Sequence, residues 1–350
     1  MDVASSDSRY AGMIAALAER HAQPLWDRYH RITTREPRAL DAPMAWAWAD
    51  MEPLVERAAR EVAMEDAERR VLLLAHPAFG GRLATTTNLS GGLQTLLPGE
   101  TARAHRHSLQ AIRFVMSGSG AVTTVNQHRC PMHEGDLVLT PAWAWHEHIH
   151  QGSQRMVWFD GLDLPLLHHL DSMFFEIPTP GSEPLTPPPT AAALAQRDAV
   201  VLGPDPDPDP YPDDDAGTQS NRYRFSWGRA MDAIAGASVQ DDGSRWLRYG
   251  DGLSGGPVLP TLDCYLLACG EGQPTRAFRS TSNAICVVAR GQGTSWVGSH
   301  TIGWKRHDVF TLPHWNWISH TAQSDDAVIF MMTDREFLAT MGYLREEIQA

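Results

Sequence analysis

Two textures of hydrophobic patterning divide the chain. Between residues 9 and about 75, apolar positions recur at helical spacing, first in RYAGMIAALAERHAQPLWDRYHRI and again in DMEPLVERAAREVAMEDAERRVLLL. Pro24, Pro37, Pro43 and Pro53 punctuate this segment. From about residue 82 the texture changes to short runs rich in Thr, Val and Leu separated by Gly and Pro, which predicts strands and turns. The pattern also repeats. AIRFVMSGSGAVTTV (111–125) aligns with AICVVARGQGTSWVG (284–298) at an offset of 173, and GDLVLTPAWAWHEH (135–148) aligns with HDVFTLPHWNWISH (307–320) at 172. One strand-rich unit has been used twice. The predicted organisation is a helical segment over 1–80, a first small β-barrel over 81–177, a connecting segment over 178–220, and a second barrel with a C-terminal helix over 221–350.

Composition separates the connection from the barrels. Eleven of the 24 prolines fall within 178–220, including TPPPT and PDPDPDPYPDDD, and alternating Pro and Asp predicts an extended, exposed linker. The formal net charge is −13, and six Asp residues between 205 and 215 account for nearly half of it; without them the chain stands at −7. An acidic chain of this kind argues against nucleic acid or an anionic membrane surface as a partner. With 43% hydrophobic and 20% charged residues the composition is that of a globular protein. The only lysine is Lys305, which leaves lysine Schiff-base chemistry a single candidate. Cys130, Cys264, Cys269 and Cys286 have no C-x-x-C spacing, and neither a signal peptide nor a membrane-spanning run is visible, so a reducing cytoplasm is expected.

The sixteen histidines hold the candidate chemistry. His105 and His107 are two apart, so in a strand both imidazoles face one side. His146 follows 39 residues after His107, with His148 and His150 on the same parity. Three imidazoles on converging strands suit a transition metal and leave coordination positions open for substrate and oxygen. The spacing alone fits iron, zinc, manganese, nickel or copper.

Gly99-x5-His105-x-His107 and Gly135-x5-Pro141-x4-His146 resemble the two cupin motifs. HRHSLQAIRF and TPAWAWHEH are similar to the gentisate 1,2-dioxygenase family of bicupins, and the resemblance extends to PLWDRYHRITTREPR and AERRVLLLAHP. It implies a mainly β bicupin that holds Fe(II) on His105, His107 and His146. The implied reaction is extradiol-type ring cleavage, in which O2 is inserted between the carboxyl- and hydroxyl-bearing carbons of gentisate or a substituted salicylate such as 5-nitrosalicylate. The implied partners are a small aromatic hydroxy acid and O2, and the implied assembly is a homotetramer.

Many cupins carry Glu four residues after the second motif histidine, whereas Ala111 stands here. The metal would therefore keep its full positive charge on three neutral imidazoles, and an anionic 2-hydroxybenzoate can supply the missing negative ligands. Arg113 is a permanent cation suited to the substrate carboxylate. In family-like positions, His148 would serve as hydrogen-bond partner or acid/base, and Gln94, Gly92 and Arg69 would contact substrate, with Arg70 the alternative to Arg69. Ser90 stands where the family often has Trp, which removes bulk from the ring pocket. Trp143 and Trp145 are expected as core fillers, and the remaining histidines as surface or packing residues.

In the second copy His105, His107 and His146 become Phe278, Ser280 and Ile318. That barrel is expected to be metal-free. The competing readings are a 1-hydroxy-2-naphthoate dioxygenase, a non-catalytic cupin that captures a small carboxylate, and an isomerase-type metal cupin.

Overall fold

A computed structural model describes residues 10–26, 28–179, 200–202, 223–251 and 255–349. Residues up to Arg38 form one compact unit, whose described helices are Ala11–Ala18 and Tyr29–Ile32. His21 at φ 54° ends the first of these before Pro24, so the expected periodic stretch is two short helices.

The second unit, Ala39–Ala350, contains two β-barrels, each built of two facing sheets. In the first barrel, the back sheet runs in the order Arg224–Phe225, Leu137–Thr140, Ala111–Ser117, Met156–Leu162, Ser90–Leu96, Val71–Leu73. Its front sheet runs Phe175–Glu176, Thr101–His107, His146–His150, Ser119–Val125, His128–His133. In the second barrel the back sheet is Ala45–Trp46, Val309–Leu312, Ala284–Arg290, Val328–Thr333, Asp263–Ala268, Arg245–Tyr249, Val200–Leu202, and the front sheet is His300–Lys305, Gln292–Val297, Ile318–Ala322, Phe278–Ser280, Glu346–Ile348.

Alternation along the back strands divides two environments. Ile112, Phe114 and Phe159 point away from the first barrel and pack with Ile285, Val287 and Phe330 of the second in one shared core. The rings of Phe114 and Phe330 stack at 4.2 Å and 11°. Burying each such ring contributes roughly 2 kcal/mol. The barrels approach so closely that a Cβ on Gly161 would lie 2.2 Å from Met332 Sδ. The opposite parity, Val115 and Trp158 with Leu96 and Met132, fills the first barrel's interior.

Three features depart from the expected divisions. The helical segment also contributes strands. Ala45–Trp46 pairs with Val309–Phe310 and Val71–Leu73 with Gly92–Gln94, while helix Trp48–Glu61 accommodates Pro53 and buries Val55 in the shared core. Arg224–Phe225, from the start of the expected second barrel, pairs instead with Leu137–Val138 of the first. Most of the expected 178–220 linker lies outside the described residues, but the short apolar run Val200–Leu202 is a strand parallel to Leu247–Tyr249. The C-terminal helix is the single short element Arg335–Thr340, followed by strand Glu346–Ile348.

Candidate active site

Strand register builds the site. His105 lies directly opposite His146 on the neighbouring front strand, and His107 follows two residues on, so three imidazoles enter the barrel from one sheet. All three are buried, and their ligating nitrogens lie within 4.8 Å of one another. The ring of His105 is 3.9 Å from that of His146 and 5.2 Å from that of His107, centroid to centroid.

Backbone carbonyls orient each ring. His107 Nδ1 donates to Leu109 O and His146 Nδ1 to Ala144 O, both at 3.0 Å, and His105 hydrogen-bonds the backbone at Arg103. At His107 and His146, donation from Nδ1 fixes the tautomer with a lone pair on Nε2, the usual arrangement around a bound metal. His146 Nε2 is buried with no hydrogen-bond partner, which is what an imidazole built to ligate leaves behind. Burial, reinforced by Arg69 at His105 and by Arg113 at the other two, pushes His105 down to about 2, His107 down to about 4 and His146 well below the usual imidazole range. The cluster is therefore neutral and ready to ligate. No carboxylate belongs to it among the described residues.

The polar wall behind the triad comes from the back sheet. Arg113, buried, is in register with Asp160, and its Nε lies 3.4 Å from Asp160 Oδ1; its other arm donates to the Thr140 hydroxyl. Asp160 also accepts from Trp158 Nε1 at 3.1 Å. Burial raises the Asp160 carboxyl, and Arg113 opposes that rise. Gln94, opposite Trp158, is buried with its amide nitrogen unpartnered. Gly92 is opposite Asp160 on the same face, and a Cβ there would meet Val71 Cγ1 at 2.6 Å. Ser90 is buried two positions further along that face.

His148 is fully buried; its Nδ1 is 2.8 Å from Thr123 Oγ1 and its Nε2 has no partner. His150 has both nitrogens occupied, by Gln154 O and Gly152 N, which removes it from the ligand set.

Sequence and overall fold are similar to those of known proteins. A family model described as "Cupin domain" matches residues 92–162. The chain is 33% identical over 330 residues to gentisate 1,2 dioxygenase 1 of Aquipseudomonas alcaligenes, covering 92% of each. The chain belongs to the gentisate 1,2-dioxygenase family. Another family relative, the 5-aminosalicylate 1,2-dioxygenase of Comamonas sp, is also 33% identical, with 95% of this chain and 89% of that protein aligned. The crystal structure of salicylate 1,2-dioxygenase from Pseudoaminobacter salicylatoxidans with gentisate superposes at a TM-score of 0.83 and 26% identity, covering 100% of this chain and 97% of that one.

Within this family member, the neighbouring arginines part company. Arg69 donates to Arg103 O at 2.8 Å and lies against His105 Nδ1, at the triad. Arg70 turns the other way, to Glu100 and the Ala59 carbonyl. Both follow a turn at Glu68, with φ 52°. Trp143 and Trp145 do not fill the core as expected: half-buried, they stack on Arg106, with centroids 5.5 and 4.9 Å from its guanidinium carbon, and Arg106 also meets Glu176 at 2.7 Å. Their ring area is better covered by a guanidinium than by an interior the histidines already occupy.

Sequence reasoning missed two residues at the site. Asp160 could have been found by extending the repeat one strand further, where it stands as a charge within MVWFDGL opposite an apolar VIFMMT. Phe175, whose ring lies 5.2 Å from that of His105 and stacks on that of His107 at 6.4 Å, gave no signal. Its position depends on the pairing of Phe175 with His107, which local sequence does not encode.

Proposed function

We propose that the protein is a non-haem Fe(II)-dependent 1,2-dioxygenase that opens the ring of a 2-hydroxybenzoate between the carboxyl- and hydroxyl-bearing carbons. The observation that supports this most directly is the buried cluster of three neutral imidazoles facing the Arg113–Asp160 wall inside one barrel. His105, His107 and His146 would hold the iron, which supplies the redox chemistry for using O2. A site without a carboxylate ligand favours an anionic, chelating substrate, and Arg113 is placed to hold the carboxylate in one orientation. Asp160 keeps that guanidinium fixed. Arg69 brings a second cation to the rim by His105, and Gln94 presents an unpartnered amide to the same interior. His148, held by Thr123, is the group available to take or return a proton, and its free Nε2 is the atom that would do so.

Cleavage beside one hydroxylated carbon, with no vicinal diol required, is extradiol in position only. Gentisate and 5-substituted salicylates, including 5-nitrosalicylate, are the preferred candidates. Ser90 puts a small side chain on the interior face of its strand, which favours a ring substituent or a second ring, whereas beside Gly92 the Val71 side chain already fills the space. The assembly is proposed to be a homotetramer, consistent with the exposed apolar run Met173–Phe175 and Ile177. No described helix is long and apolar enough to cross a membrane, in keeping with the proposed cytoplasmic setting.

Oxygen uptake by anaerobically purified, Fe(II)-loaded protein on a panel of gentisate, salicylate, 5-nitrosalicylate and 1-hydroxy-2-naphthoate tests this reading. Consumption of one O2 per substrate with at least one member is expected. If no compound is consumed while iron remains bound, the dioxygenase gives way to a carboxylate-binding or isomerase-type cupin.

A further inference from the structure

The second barrel has lost the metal ligands but not its cavity. A space of about 600 Å3 opens at its mouth, within the range of small-molecule sites, roughly 300–1,000 Å3. Ala284, Leu312, Ile318 and Met331 form part of its lining, where the first barrel carries Ala111, Thr140, His146 and Asp160. Trp246, Tyr265 and Phe278 line it as well, and the indole stands at 81° to both other rings, with centroids 6.4 Å from Tyr265 and 6.2 Å from Phe278. This right-angled arrangement offers both ring faces and ring edges to a flat guest. The hydroxyl of Ser280, at the position of His107, lies 2.8 Å from that of Ser282.

Most charged groups around this space are already matched to one another; Arg276, whose Nε donates to Gln349 O and whose backbone N–H donates to Asp242, is exposed at the rim. Arg248, 1% exposed, has its Nε 3.2 Å from both carboxylate oxygens of Asp263. Arg335 meets Glu336 at 2.6 Å and Glu346 at 2.5 Å. Asp241, Asp242, Glu346 and Glu347 add carboxylates to the lining. An anion entering the interior would have to displace carboxylates from Arg248 or Arg335 inside a low-dielectric wall, at large cost, and at the rim it would meet Asp241, Asp242, Glu346 and Glu347 around Arg276. An uncharged ring meets no such penalty.

We propose that the metal-free barrel binds one uncharged, hydroxylated aromatic molecule of one or two fused rings, with its ring against Trp246, Tyr265 and Phe278 and its hydroxyl at Ser280. The two barrels would then sort aromatic compounds by charge, carboxylated ones to Arg113 and neutral phenols to the second cavity.

Equilibrium dialysis of the full-length, iron-loaded chain tests this, with 2-naphthol as the neutral probe and 2-naphthoate as the anion of similar shape. One equivalent of 2-naphthol per chain is expected. Ile318→Trp and Ala284→Leu, which fill the cavity from different strands, should each weaken 2-naphthol binding at least tenfold and leave 2-naphthoate binding and iron content unchanged. If Ile318→Trp also loses iron, and so has not folded, the smaller Ala284→Leu decides alone. Failure of 2-naphthol to bind at its solubility limit would overturn the proposal. So would 2-naphthol binding that both variants leave intact, or equal loss of the two probes in a variant that keeps its iron.

Discussion

Set side by side, the two barrels separate what the fold requires from what the chemistry requires. Both place a guanidinium over two indoles and beside a carboxylate: Arg106 with Trp143, Trp145 and Glu176 in the first, Arg279 with Trp315, Trp317 and Glu347 in the second. Both hold the first Trp of the pair at positive φ, 65° at Trp143 and 59° at Trp315. Both bury a histidine on a hydroxyl of the adjacent strand, His148 on Thr123 and His320 on Ser295. Features present in a barrel without metal ligands belong to the scaffold. What differs is the interior. The in-register pair Arg113 and Asp160 corresponds to Cys286 and Met331, Gln94 opposite Trp158 corresponds to Leu267 opposite Ile329, and His105 opposite His146 corresponds to Phe278 opposite Ile318. One chain thus contains both the site and its internal control. The control also limits His148: its Thr123 hydrogen bond is a scaffold feature, and only its position beside the triad supports the acid/base role proposed for it.

The largest effect should come from making the first barrel like the second. His146→Ile, which installs the residue of the partner position, is expected to lower metal affinity by roughly 10²-fold or more and abolish ring cleavage. Metal analysis of the purified variant checks this against one equivalent per chain in the parent. Two equivalents in the parent would break the comparison outright.

Next in size is Arg113→Gln, which removes the buried cation but keeps polar contacts to Thr140 and Asp160 possible. Losing a charge-assisted contact to a carboxylate should raise KM by about 10²-fold with metal content unchanged. The reciprocal change, Cys286→Arg, buries an unpaired guanidinium and is expected to cost several kcal/mol, read as a lowered midpoint in denaturant titration. Tolerance of Cys286→Arg without loss of stability would mean the second interior is wetter than its residues indicate.

The smallest difference is expected at the shared clasp. Arg106→Ala and Arg279→Ala should each lower the denaturation midpoint of the chelator-treated chain to a similar extent, since each removes an ion pair and two ring contacts. Only Arg106→Ala should also weaken metal retention, because Arg106 lies between two ligands. Unequal stability losses would show that the clasp is not a common scaffold element.

Legibility in the sequence followed the range of the signals. The triad could be read because His105 and His107 share one strand, and His146 is tied to them by a motif of fixed spacing. The loss of the histidines at the matching positions of the second barrel could be read because repeat offsets carry position into position. Asp160 was within reach of the same comparison. Phe175 and the rim role of Trp143 and Trp145 were not, since each depends on which strand lies beside another. The choice between Arg69 and Arg70 depends on the phase in which the chain enters strand Val71–Leu73, which is set by pairing with Gly92–Gln94 and not by local propensity. The crossed strands were illegible for the same reason: Ala45–Trp46 joins a sheet some 260 residues away in sequence, and a two-residue strand has almost no pattern of its own.

That crossing has a consequence for how the molecule is made. As the chain leaves the ribosome, the first barrel is complete in outline by residue 177, yet its strand Leu137–Thr140 has no neighbour on one side until Arg224–Phe225 arrives. Ala45–Trp46 waits longer still, for Val309–Phe310. Neither barrel can close its edges alone, so synthesis passes through a half-finished state with open strand edges and an uncovered apolar back sheet. Its exit is the arrival of its own second half, whose back sheet covers that apolar face and so completes the fold of the first barrel.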